Sequence, residues 1–220
     1  VPEYSFYTPK PLWAEANPQD WWDATQVAIK QLTESIEPSQ IAGIGLTGQM
    51  HGMVALDKEG IVLRPCIMWN DQRSHLECSE ISSKVGSKKV LGITGNPILS
   101  GFTAPKILWT QKNEPEIFAQ IDKVLLPKDF IRYKLTGEFF SDVSDASGTS
   151  LLDVGKRTWS KEMLDALGWP ISWMPEVTES TEPTSKISVE AAELTGLLAG
   201  TPVVAGGGDC AAQAVGSGIV

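Results

Sequence analysis

One carboxylate in this sequence stands in a space cleared of side chains. "TPVVAGGGDCAAQAVGSG", residues 201–218, runs an apolar segment into Gly206, Gly207 and Gly208, meets Asp209, and leaves through alanines. A turn needs one glycine or two, and this stretch has three ahead of a lone acid. Glycines and small residues let a ligand come close to the backbone. At a helix N-terminus they would leave Asp209 as the one functional side chain in a cleared space, within reach of whatever ligand enters it. Helix capping is the plainer role for the same aspartate.

A second stretch, "GQMHG", sets Gln49, Met50 and His51 between Gly48 and Gly52 at the end of an apolar run. Ligands of α/β folds gather at strand ends. Histidine gives or takes a hydrogen bond from a hydroxyl, and methionine supplies an adaptable apolar wall, a pairing that suits a polyol better than a metal. A structural histidine tied to a neighbouring turn fits these residues equally well. "WNDQR", residues 69–73, places Trp69 beside Asn70 and Asp71, which reads either as a helix start or as a sugar-gripping trio. "SDASGTS", residues 144–150, reads as an ordered polar turn.

"GIGLTG", residues 43–48, matches G-x-G-x-x-G by letter only. The dinucleotide fingerprint needs its glycines in a turn that opens a helix, whereas "MVALD" continues here as another strand. Neither a P-loop nor a G-x-S-x-G elbow is present in the sequence.

The elements that must position these residues alternate between strand and helix, which predicts an α/β fold. Residues 4–7 read as a short strand. Asn17-Pro18 starts a helix whose stripe of Trp21, Thr25, Ala28, Ile29, Leu32 and Ile36 continues toward Pro38. "IAGIGLTG" reads as a strand buried on both faces. "MVALDKEGIVL" predicts two short strands about a turn, and "CIMW" another. Helices are expected over 71–85, 103–112, 130–135 with Gly137 as C-cap, and 189–194. "PEVTESTEPTSK" reads as a polar connector, and 201–205 as a closing strand. Trp13, Trp21 and Trp22 are expected as core and interface anchors.

With 18 basic and 27 acidic residues, a formal charge of −9 opposes nucleic acid and anionic membranes as partners. No apolar run approaches the roughly 20 residues of a membrane span, and no signal peptide is visible. Cys66, Cys78 and Cys210, odd in number, suit a reducing cytoplasmic compartment. Together with only His51 and His75 they form no metal motif, so no metal ligand is assigned.

A colinear series gives these pieces a common origin. "PLWAEANPQDWW", "GQMHG", "LRPCIMWNDQR", "TGNPILSGFTAPKILW", "EPEIFAQIDKVLLPKDFIRYKLTGE", "SDVSDASGTSLLDV" and "VVAGGGD" follow one another from about Leu12 to the last residue. In this order the sequence resembles the FGGY carbohydrate kinases, with "GFTAPKILW" similar to the family's first signature. "GQMHG" resembles the branch acting on D-xylulose rather than glycerol. The resemblance implies an actin-like ATPase (ribonuclease H-like) lobe, with ATP and sugar meeting in a cleft between two lobes. It implies transfer of the γ-phosphoryl of ATP to the 5-hydroxyl of D-xylulose, with Mg²⁺. Met50 and His51 would bind the ketose, Asp209 would be the catalytic base, and Gly206, Gly207 and Gly208 would face the nucleotide. A kinase for another ketose or sugar acid, or a non-catalytic sugar-binding relative, stands as the alternative.

The family opens with a D-x-G-T-type phosphate loop, which this sequence starts after, and its second lobe would begin where the sequence stops. Residues 1–220 are therefore expected to be an N-terminal lobe incomplete at its N-terminus, inactive alone, with a homodimer allowed for the whole protein. Cys210 replaces an asparagine common in related kinases, a weaker hydrogen-bond partner for a sugar.

Overall fold

Asn17 caps the first helix in the computed structural model, which describes residues 3–219. Its side chain accepts from the Gln19 amide at 3.1 Å, and Pro18 takes the first helical position. This helix, α1 (Pro18–Thr33), follows the short strand β1 (Glu15–Ala16) and buries Trp21 and Trp22. It stops well before Pro38, and Leu32 and Ile36 remain exposed, so the apolar stripe is shorter than its spacing suggested. The strand expected over residues 4–7 is reduced to one bridge from Tyr7 to Glu15.

Beyond α1 come β2 (Thr47–Gly48), β3 (Val54–Leu56) and β4 (Cys66–Ile67). Four helices follow: α2 (His75–Val85), α3 (Ser87–Thr94), α4 (Thr103–Asn113) and α5 (Pro115–Phe118). Strand β5 (Lys123–Leu125) leads into α6 (Pro127–Thr136), which Gly137 ends in the left-handed conformation as expected. Strand β6 (Phe140–Asp142), helix α7 (Val143–Ala146), β7 (Leu152–Asp153), β8 (Thr158–Trp159) and α8 (Lys161–Leu167) come next. The chain closes with β9 (Glu176–Thr178), β10 (Pro183–Lys186), α9 (Val189–Thr195), β11 (Pro202–Val204), β12 (Gly207–Gly208) and α10 (Asp209–Gly216).

Two pairings are parallel, β2 with β12 and β6 with β9. The others are antiparallel: β1–β4, β3–β5, β7–β8 and β10–β11. Single bridges stitch Ile44 to Val203 and Met53 to Ile67.

The β3–β5 ladder divides the interior. Successive side chains of a strand point to opposite faces. Met53, Ala55 and Val124 enter one core with Ile81, Ile107 and Met163. Val54, Leu56 and Leu125 enter the other with Trp22, Phe130 and Val203. Both faces are covered, and burial of a Val or Leu side chain there contributes about 1.5–3 kcal/mol.

Two expectations are corrected. Residues 41–48 are not buried on both faces: each is half-buried or exposed, and regular pairing covers only Thr47 and Gly48. Among the described residues, β2 has a hydrogen-bonded neighbour on one side only, β12, which leaves the apolar run open to a cavity. The polar connector is not a plain loop, because β9 and β10 lie within it. Edge strands need backbone pairing more than apolar side chains, so their sequence gave no periodic signal.

Candidate active site

Parallel pairing sets Gly208 opposite Gly48. The chain leaves Gly48 into Gln49-Met50-His51 and leaves Gly208 into Asp209, so residues about 160 apart in sequence leave neighbouring strand ends on the same side. A Cβ on Gly208 would lie 3.0 Å from both Cγ and Sδ of Met50. The Met50 side chain therefore packs against the backbone that carries the acid.

His51 adopts φ of +67°, a conformation that non-glycine residues take up rarely. Several contacts hold it there. Its ring stacks on Phe102 with centroids 4.5 Å apart, and its carbonyl accepts from Thr103 Oγ1 at 3.1 Å and Lys106 Nζ at 2.8 Å. Nδ1 lies 2.8 Å from the Gly148 carbonyl oxygen, which can only accept, so Nδ1 carries the proton. Burial lowers the His51 pKa, although the Gly148 bond and the charge of Asp209 act the other way. The neutral ring then offers Nε2 as an acceptor for a hydroxyl hydrogen.

Lys106 is fully buried and donates to the carbonyls of Gly101 and His51. Burial brings its pKa down to about 7. A neutral amine has two N–H groups, one for each of these two carbonyls.

Asp209 is the first residue of α10 and not its cap: Gly208 holds the N-cap position. Its Oδ1 accepts only from the adjacent Cys210 amide, at 2.8 Å. Gly206 sits at φ of +89°, where a Cβ would run into the Leu46 carbonyl. At Gly207 a Cβ would make only an ordinary contact, 3.6 Å from Ser144 Oγ. The amides of the three glycines are already engaged: Gly206 donates to Ser180 O, Gly207 to Leu46 O and Gly208 to Ser144 Oγ. What they offer a phosphate is close approach, not free N–H groups.

Behind this strand lies a buried charged group that the sequence reading did not find. Lys128 Nζ reaches Asp129 Oδ1 at 2.6 Å, Asp142 Oδ1 at 3.1 Å and the Ala205 carbonyl at 3.1 Å. Burial works to lower the Lys128 pKa, but Asp129, Asp145 and Asp142 outweigh it and hold the ammonium charged. One lysine cannot balance three carboxylates. Asp145 has no hydrogen-bond partner on either oxygen, and burial, with the charges of Asp129, Asp142 and Asp209, raises its pKa well above the usual aspartate value although Lys128 opposes the shift. A hint was available in "PKD", where Lys and Asp enter the first turn of a helix right after proline.

"WNDQR" divides between two tasks. Asp71 is wholly buried, paired with Arg73 at 2.7 Å and accepting from the Ala14 amide at 2.6 Å, while Arg73 lies 3.7 Å above the Trp13 ring. Asp71 is structural, and the helix expected from it begins only at His75. Trp69 and Asn70, with Gln49 and Lys128, line a cavity of about 690 Å³ that extends to Trp21 under α1. Asp209, Met50 and His51 lie outside the lining of that cavity. The chemistry-bearing side chains lie instead at the converging strand ends.

The model of the FGGY family of carbohydrate kinases, N-terminal domain, matches residues 2–216. Xylulose kinase from Escherichia coli K12 is 51% identical over 212 residues, which are 96% of this chain and 43% of that protein. Xylulose kinase from Klebsiella pneumoniae is 47% identical, with 96% and 43% covered. The crystal structure of xylulose kinase from Rhodospirillum rubrum superposes with a TM-score of 0.94 at 32% identity, over 99% of this chain and 45% of that one. The chain thus spans less than half the length of these relatives.

Proposed function

The chain belongs to the FGGY family of carbohydrate kinases, with the actin-like ATPase fold of its relatives, and on that premise we propose that the protein transfers the γ-phosphoryl of ATP to the 5-hydroxyl of D-xylulose. Residues 1–220 would form the N-terminal, sugar-binding lobe. The observation that carries the reading is the convergence of Asp209 with Met50 and His51 at two paired strand ends.

In this reading Met50 walls the sugar and His51 accepts one of its hydroxyl hydrogens through Nε2. Asp209 takes the proton of the attacking hydroxyl as that oxygen closes on the γ-phosphorus in line. Gly206, Gly207 and Gly208 keep side chains away from the phosphates. Mg²⁺ would arrive with ATP and offset charge on the phosphates. Among the described residues no helix is long and apolar enough to cross a membrane. A cytoplasmic location and a homodimer complete the proposal.

Asp209→Asn in the full-length protein tests it. The substitution keeps shape and removes the base, so turnover should fall by about 10²–10⁴-fold with sugar affinity largely retained. A folded variant with kcat within a few-fold of the parent would reduce Asp209 to a helix-start residue. A panel of pentuloses, hexuloses, gluconate and glycerol fixes the sugar.

A further inference from the structure

The glycine strand that carries Asp209 has no side chains with which to anchor itself. Its position depends on what grips its backbone, and three of those grips converge on one residue. Ser144 Oγ accepts from the Gly208 amide at 3.1 Å. The Ser180 carbonyl accepts from the Gly206 amide at 3.0 Å. Lys128 Nζ donates to the Ala205 carbonyl at 3.1 Å.

All three of these residues are held by Asp142, which is wholly buried. Its Oδ2 accepts from the Ser144 amide at 2.8 Å, Ser144 Oγ at 2.5 Å and Ser180 Oγ at 2.8 Å. Its Oδ1 lies 3.1 Å from Lys128 Nζ. Three donors share Oδ2 and the Lys128 ammonium pairs with Oδ1, so one buried carboxylate ties all three residues together. Asp142 ends β6 and caps α7, which places the hub directly behind β12.

We propose that Asp142 is the positioning residue for the catalytic base, acting through Ser144, Ser180 and Lys128 on the backbone that presents Asp209. The inference rests on the reading of Asp209 as that base. It gives the polar "SDVSDASGT" segment a task beyond an ordered turn. A neutral amide at Asp142 would keep one acceptor oxygen and point N–H groups at a lysine or a serine that also donates. At least one of the three grips would then be lost. Proton transfer and in-line attack both require tight placement, and a displacement of about 1 Å can cost around 10²-fold in rate.

The test uses the full-length protein, with initial rates against D-xylulose and ATP. Asp142→Asn and Ser144→Ala are measured alone and combined with Asp209→Asn, and Ser144→Thr serves as the conservative control. The expected result is a kcat lowered by about 10- to 100-fold with both KM values within a few-fold, and recovery of most of the rate in Ser144→Thr. In the Asp209→Asn background each substitution should cost less than about 3-fold, because no carboxylate remains to be placed. Circular dichroism and thermal melting report folding, and Ser144→Ala, which removes one hydroxyl and keeps the buried carboxylate, decides the matter should Asp142→Asn fail to fold. A disabled Asp209→Asn beside undiminished Asp142→Asn or Ser144→Ala overturns the positioning role and leaves the base intact. Equal losses with and without the Asp209 carboxylate also overturn it. Full activity of Asp209→Asn itself overturns the base reading instead.

Discussion

Replacing Lys106 by methionine should change how stability depends on pH, and the structure sets the sign. The side chain is fully buried, and burial takes its pKa from 10.5 down to about 7. Between these values the unfolded chain carries a proton at this position that the folded chain does not. Stability rises with pH wherever the unfolded state binds more protons, by at most about 1.4 kcal/mol per pH unit for one group. Below pH 7 both states are protonated and the contribution is flat. From pH 7 to pH 9 Lys106 should add about 2 kcal/mol to the stability of the wild-type protein, an order-of-magnitude figure for a dry amine. Lys106→Met fills the same volume, lacks the titration, and leaves the Gly101 carbonyl without its donor, a loss of about 1–3 kcal/mol. Urea unfolding of both proteins at pH 6, 7, 8 and 9 separates the effects. The two curves should run parallel below pH 7 and diverge above it, the wild type gaining on the variant. Parallel curves across the whole range would show that the amine stays charged in the fold, and the reasoning from burial would fail.

His51→Ala should weaken D-xylulose binding by roughly 1–3 kcal/mol and leave ATP affinity unchanged, as read by calorimetry on the full-length protein. Unchanged sugar affinity would return His51 to a turn-bracing role. Gly206→Ala should lower stability by more than about 1 kcal/mol, because φ of +89° and the Leu46 carbonyl both oppose a Cβ. Gly207→Ala should melt close to wild type, since its Cβ would meet only Ser144 Oγ at 3.6 Å. Comparable melting points for the two would remove the steric account of Gly206.

The helices with clear boundary residues were legible in the sequence. Asn17-Pro18 and Gly137 mark real helix ends, and 103–112 and 189–194 lie within α4 and α9. The convergence of "GQMHG" with Asp209 was legible too, since both follow strands that run into glycines. The connector carrying β9 and β10 was not, because its pairing resides in backbone groups that leave no apolar pattern. Asp142, Ser144 and Lys128 also escaped. A buried polar network is defined by which groups meet across the fold, and Lys128 and Ala205 are separated by 77 residues. Residues 41–48 misled in the opposite sense: their composition is that of an enclosed strand, yet Ile44 and Leu46 stay only half-buried, and Leu46 lines the cavity.

The β3–β5 ladder serves as a party wall between two cores, and this bears on how the lobe comes apart. A domain with separate cores can lose one and keep the other. Here Met53, Ala55 and Val124 belong to one core, and Val54, Leu56 and Leu125, interleaved along the same two strands, belong to its neighbour. Pulling either strand away strips apolar cover from both sides at once. The two halves are thereby bound into one cooperative unit. Its closure joins strands about 70 residues apart, so the loop entropy is lost before either core can form in full. The site at the end of β2 sits on the open margin of that unit, where local adjustment does not require the wall to move.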